Sequence, residues 1–286
     1  SHYSQASVAA VANANQVMNV VILLLVVMST AATILIAQYF GAQNREKIAE
    51  VCTVSFFFNG AVSLLAGLGL ILFHQYLFAW MQVPEELLAE ASLYLTIVAG
   101  GIVFQGLYFS LVASFRGHSW TKATMVVSLV MNIFHIGSNA LLIFGFMSIP
   151  ALGVLGVAVS TNCSKLFRLV VLFYIFRRYL KVKISLAYLR PFPWKTLRQL
   201  LAIGIPSGGE TLSYQLSQVT VMKMVNLFGL IVINTKVYVY ILATFCYIYS
   251  IALSSAAPVT LPNASCCLPF TTASATSAAT PVALRP

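Results

Sequence analysis

Of the six acidic residues in this chain, all are Glu, and five (Glu46, Glu50, Glu85, Glu86 and Glu90) fall in or beside breaks between apolar runs. The sixth, Glu210, interrupts the apolar run Leu200–Val225. In a helix rising 1.5 Å per residue it lies about 15 Å from the start of that run. That is near the middle of a hydrocarbon layer roughly 30 Å thick. A lone carboxylate at this depth costs several kcal/mol, so such acids serve an ion, a proton or a substrate, or they are structural, protonated or hydrogen-bonded to a neighbouring helix. Desolvation raises the affinity of a carboxylate for a proton, so the group can trade that proton for a cation. Just before it, Pro206, Gly208 and Gly209 loosen the helix and free backbone carbonyls that would help to coordinate Na⁺. Tyr214 follows Glu210 by one helical turn. Its ring either offers cation–π attraction to an organic cation or packs between helices.

A second polar set lies earlier in the chain. His135 and Asn139 are four residues apart, so they share a helix face, with Asn132 one turn before and Thr161 in the next apolar run. These residues either bind a ligand or hydrogen-bond between helices, the latter worth about 1 kcal/mol or less each. Lys165 and Arg168 are placed toward the inner end of their run and expected to extend to the membrane surface. Lys223 and Lys236 are expected to do so at the outer surface. Enzyme chemistry finds no support. The chain has no Asp, which excludes a Ser-His-Asp triad, and its four His have no metal-binding spacing. No phosphate-cradling loop or cofactor motif is present, and metal ligation is expected nowhere except for Na⁺ at Glu210. Cys52, Cys163 and Cys246 fall in apolar runs and read as small buried hydrophobes.

The elements that position these residues follow from composition. The chain of 286 residues is 60% hydrophobic and 8% charged, too few charges to wet a soluble surface. Its fold class is all-α integral membrane, a polytopic bundle of about seven transmembrane helices. The expected spans are Ala9–Tyr39, Val51–Phe73, Leu88–Phe109, Ala123–Phe146, Leu152–Phe176, Leu200–Phe228 and Leu230–Ser254. The net charge of +10 does not point to nucleic acid, because the basic residues lie in short segments between apolar runs. Arg45 and Lys47, then Arg116 and Lys122, then the dense set Arg177–Arg198 mark alternate loops as cytoplasmic. This places Ser1 outside an inner (plasma) membrane and the 177–199 loop in the cytoplasm. The domain reading is residues 1–176 as a first helical lobe, incomplete with five spans, 177–199 as a basic cytoplasmic linker, and 200–257 as the start of a second lobe. Residues 258–286, rich in Ala, Ser, Thr and Pro, form a disordered or aberrant tail. Ser29-Thr-Ala-Ala-Thr-Ile and Ser254-Ser-Ala-Ala-Pro-Val are a faint internal echo, as expected of a duplicated bundle. A chain that starts at Ser1, outside and without a signal peptide, is expected to be a piece of a longer one.

Several segments together resemble the multidrug and toxic compound extrusion (MATE) family. They are Ala37-Gln-Tyr-Phe-Gly-Ala-Gln43, Phe115-Arg-Gly117, Met131-Asn-Ile133, Leu142-Ile-Phe-Gly145, Pro150-Ala-Leu-Gly-Val-Leu-Gly-Val-Ala158 and Ile203-Gly-Ile-Pro-Ser-Gly208. Each is weak alone; their order and spacing across Ala9–Ala257 carry the resemblance. It implies a two-lobe, twelve-helix exporter of cationic amphipathic compounds, driven by antiport of Na⁺ or H⁺, with this chain standing for the second to eighth helices and inactive by itself. The partners so implied are organic cations and membrane lipid; nothing points to a protein partner. Glu210 fits an acid tied to coupling-ion or substrate binding in the family. His135 and Asn139 occupy places that hold an Asn and an Asp in another branch, so no acid remains there. Two alternatives stay open: a flippase of lipid-linked oligosaccharides with a more cationic cavity, or a non-transporting membrane scaffold.

Overall fold

A computed structural model describes residues 5–144, 153–180, 182, 184–185, 188, 190 and 193–260; the side chains of 143, 144, 207, 210 and 249–260 are outside that description. The described residues form eight α-helices and no strand: α1 (Gln5–Gly41), α2 (Arg45–Trp80), α3 (Glu85–Gly100), α4 (Ile102–Gly117), α5 (Thr121–Phe144), α6 (Gly153–Ile175), α7 (Trp194–Asn226) and α8 (Leu230–Thr260). A π-helical turn, Phe176–Leu180, extends α6 into the basic loop. Five of these helices are long and apolar enough to cross a membrane, six if the bent pair α3–α4 counts as one crossing. The sixth expected span, α7, has the length at 33 residues, but Pro206, Gly208, Gly209, Gln215, Gln218 and Lys223 dilute its apolar character. α1, α2 and the α3–α4 pair overrun their expected spans at both ends, whereas α5 and α7 begin earlier and end two residues sooner than expected. α1 has 37 residues, about 55 Å of helix, so it must tilt or emerge from a layer about 30 Å thick.

By its internal contacts the chain divides into two compact units, Ser1–Val237 and Tyr238–Pro286. Within the first, α1 is the central element and packs on α2, α3, α4 and α7. Buried Ala9, Ala10, Ala14, Ala31 and Ala32 let these neighbours approach closely. α2 and α4 are joined by a polar ladder of small residues. Asn59 donates to the Ser110 hydroxyl at 2.9 Å, Ser110 donates to the Ser55 carbonyl at 3.0 Å, and Ser114 contacts Cys52 Sγ at 3.2 Å. In an apolar surround each such bond satisfies a group that has no water to turn to. Cys52 is buried as expected, but Cys163 and Cys246 are exposed, because their helix faces point away from neighbouring helices. In the second unit, α8 continues by backbone to Thr260, and the Thr244 hydroxyl caps the Tyr240 carbonyl at 2.8 Å. The tail expected from Pro258 lies, from residue 261 onward, outside the described residues.

Two features set the geometry of the bundle. First, α3 and α4 meet at a 46° bend, where a single straight span was expected over Leu88–Phe109. At Gly101 the amide bonds to Val98 rather than to Ile97. The Asn162 amide of α6 donates to the freed Ile97 carbonyl. A side chain at Gly101 would collide with Asn162, so glycine is what lets α6 reach this bend. Second, α7 runs antiparallel to α1 and parallel to α2. At one end Asn226 of α7 donates to Asn13 of α1 and to the Met81 carbonyl just after α2. At the other, Thr196 of α7 donates to Glu50 of α2, and Tyr39 of α1 contacts Gln199 of α7 at 3.5 Å. The alternation of direction read from the loop charges therefore holds for these three helices.

Candidate functional site

α7 starts at Trp194, inside the 177–199 segment assigned to the linker, and its central residue is Glu210. The backbone at Glu210 is helical, and its side chain lies outside the described residues. α7 rests on α1 through Gly204 and Gly208, which face Val27, Met28 and Ala31. A Cβ at Gly208 would stand 2.8 Å from Val27 Cγ1, whereas one at Gly209 would meet nothing within 4 Å. Gly208 thus has a packing role that its sequence reading, as a helix-loosening residue, did not include. Tyr214 is 55% exposed and is not brought to the His135 cluster. Lys223 lies with Nζ 4.9 Å from the centre of the Trp80 ring, a cation–π contact at the end of α7.

The second polar set forms a compact site. His135 Nε2 is 3.3 Å from Asn139 Nδ2 and 3.5 Å from Thr161 Oγ1, so the pair grouped by helical spacing on α5 meets its expected neighbour on α6. Thr161 also donates to the Val157 carbonyl at 2.8 Å. A cavity of about 120 Å³ opens beside them, lined by Met131, Asn132, His135, Thr161, Ser164, Lys165 and Arg168. The α6 contributors sit at successive steps of three, one and three residues, which is a single face of one helix.

Lys165 and Arg168 do not extend to the membrane surface as expected. Lys165 sits near the middle of α6 and is only 8% exposed. Arg168 stacks over the Tyr108 ring, its guanidinium carbon 4.0 Å from the ring centre, and donates to Gln105 of α4. Tyr108 is in turn held by Ser128 of α5 at 3.1 Å. For Arg168 the physical reason is that α4 offers a polar and an aromatic partner, whereas Lys165 is enclosed by the packing of the helices. Sequence reasoning missed these two residues because it measured depth along one apolar run; their central position in the helix was the available signal. Among the described residues no group of three His, Cys, Asp or Glu is placed to hold a metal ion. The only ion pair among them is Lys47 with Glu50 at 2.6 Å, on α2.

Residues 1–141 match the MatE family model. The chain is 34% identical over 254 residues to the uncharacterized transporter YisQ of Bacillus subtilis (strain 168), covering 89% of this chain and 56% of that protein. It is 27% identical to the probable multidrug resistance protein NorM of Thermotoga maritima, over 73% of this chain and 45% of that one. For the probable multidrug resistance protein YoeA of Bacillus subtilis the figures are 28%, 70% and 44%. The chain thus spans about half the length of the curated relatives it matches. Its fold matches, with a TM-score of 0.77 and 20% identity, an inward-facing multidrug resistance MATE family transporter of the MOP superfamily, over 88% of this chain and 57% of that one. The family model over residues 1–141 and the relatives along most of the sequence agree that this chain belongs to the MATE family.

Proposed function

We propose that this chain is part of a secondary active exporter of cationic amphipathic compounds, driven by antiport of Na⁺ or H⁺, with Glu210 as the coupling carboxylate. The observation that carries the reading is position: Glu210 is the central residue of a 33-residue helix in a MATE-family bundle. No other acid of the chain interrupts the middle of a long apolar run. A carboxylate there binds either a proton or Na⁺ or an organic cation, and that competition is the coupling. Cations from the cytoplasm would displace the bound ion, and ion binding from outside would favour release and reset the site. Tyr214, one turn along α7, offers its ring to the organic cation in this scheme. The orientation that goes with it has Ser1 outside and the 177–199 segment cytoplasmic. Asn226 and Met81 then lie at the outer end, and Thr196 and Glu50 at the inner end.

Buried Lys165 and partly buried Arg168 are the cationic groups that a flippase of lipid-linked oligosaccharides would need. Their cavity of about 120 Å³ is far too small for a glycan head group, so drug export remains the better reading. The test is ion-driven efflux of a cationic dye in vesicles, with the chain alone and with the chain extended to the length of its relatives by segments of the Bacillus subtilis relative. Glu210→Gln should abolish gradient-driven efflux of the extended form at unchanged protein level. Normal efflux in that variant rejects the role of Glu210.

A further inference from the structure

His135 and Thr161 line a cavity whose charges have the wrong sign for a cation. Lys165 is more than nine-tenths buried, and no hydrogen bond or ion pair is formed by its ammonium group among the described residues. Ser164, also buried, has a hydroxyl with no partner, and so has Nε of Arg168. All three side chains line the same cavity between α5 and α6, where no carboxylate is present. An ammonium group near the middle of a membrane helix is costly to keep without a counter-charge. Arg168 finds partial satisfaction in Gln105 and the Tyr108 ring. Lys165 finds none, and a cluster of unsatisfied donors around an empty volume is what an anion needs.

We propose that this cavity binds a compact monovalent anion, such as chloride or a small carboxylate, between Lys165, Arg168 and Ser164. Asn132 and His135 close the site from α5 and supply further donors. A volume of about 120 Å³ admits an ion of a few atoms and excludes an amphipathic drug. The site goes beyond the efflux reading and does not depend on it, because Glu210 takes no part. A cation there would face the positive charges of buried Lys165 and partly buried Arg168.

The experiment is thermal unfolding of the purified chain in detergent, titrated with chloride or acetate against bulky gluconate at constant Na⁺ and ionic strength. A ligand that binds only the folded state raises the melting temperature in a saturable way. Saturable stabilisation by chloride or acetate is expected, with each competing with the other, and a fall in apparent affinity of about tenfold or more in Lys165→Gln and in Arg168→Gln. Ser164→Ala is the milder variant if those two fail to fold. Broadening of the ³⁵Cl resonance by the unmodified protein, reversed by acetate, reads the same site without any variant. No saturable response to either anion overturns the proposal, as does a response unchanged in all three variants. A saturable response to Na⁺ at constant gluconate, lost in Asn139→Ala, would make this a cation site and also overturn it.

Discussion

Removing the Asn226 side chain gives the sharpest test of how α7 is fastened to the rest of the bundle. Asn226 is 4% exposed, and its amide donates to Asn13 Oδ1 at 2.9 Å and to the Met81 carbonyl at 2.8 Å. Each bond contributes about 0.5–1.5 kcal/mol net. Asn226→Ala deletes both and leaves two buried acceptors that water does not reach. Interhelical bonds within membranes average nearer 0.6 kcal/mol, because the unfolded chain also finds partners there. The expected loss is therefore about 2 kcal/mol, between the two extremes. Asn13→Ala removes one of the two bonds and should cost less. The double variant should show a coupling of about 0.5–1.5 kcal/mol, above the additivity error of about 0.3–0.5 kcal/mol. Reversible unfolding in mixed detergent micelles measures all three variants. An Asn226→Ala cost below about 0.5 kcal/mol, or strictly additive single variants, would refute the reasoning.

Two further outcomes follow from the packing and from a half-buried histidine. Gly208→Ala places a methyl 2.8–2.9 Å from both γ-carbons of Val27, whose branched side chain has no free rotamer in a helix. It should destabilise by about 1–2 kcal/mol after the gain in helix propensity, and Val27→Ala should rescue it. Gly209→Ala, which meets nothing, should stabilise by up to about 1 kcal/mol; the reverse order of the two variants in a thermal melt would sink the argument. His118, just past α4, has its pKa lowered by burial, opposed by its bond to the Ser114 carbonyl, and its ring stands edge-on to Phe40 at 5.1 Å. A depressed histidine pKa gives stability that is present above the ordinary value of 6.5 and is lost as pH falls through the folded-state value. The denaturation midpoint should drop between about pH 7 and 5, and the drop should be shallower in His118→Gln; equal slopes would show that His118 does not contribute.

The sequence by itself determined the class of this protein, because membrane crossing is a property of single segments. A run of twenty apolar residues must be helical in lipid wherever its neighbours lie, so α1, α2, α5, α6 and α8 were all legible, and Glu210 stood out within α7 by contrast. The pairing of His135 with Asn139 was legible for the same reason, since residues four apart share a face of one helix. What only the tertiary structure decided concerns groups whose partners lie on other helices. Asn226 meets Asn13 across 213 positions of chain, and no local pattern encodes that. The bend at Gly101 depends on an Asn162 amide arriving from α6. Lys165 and Arg168 looked able to reach the membrane surface along their own helix, yet Arg168 turns to Gln105 and Tyr108 of α4. The sign of charge in the His135 cavity is thus set by packing, because it is the approach of α4, α5 and α6 that keeps Lys165 and Arg168 beside it.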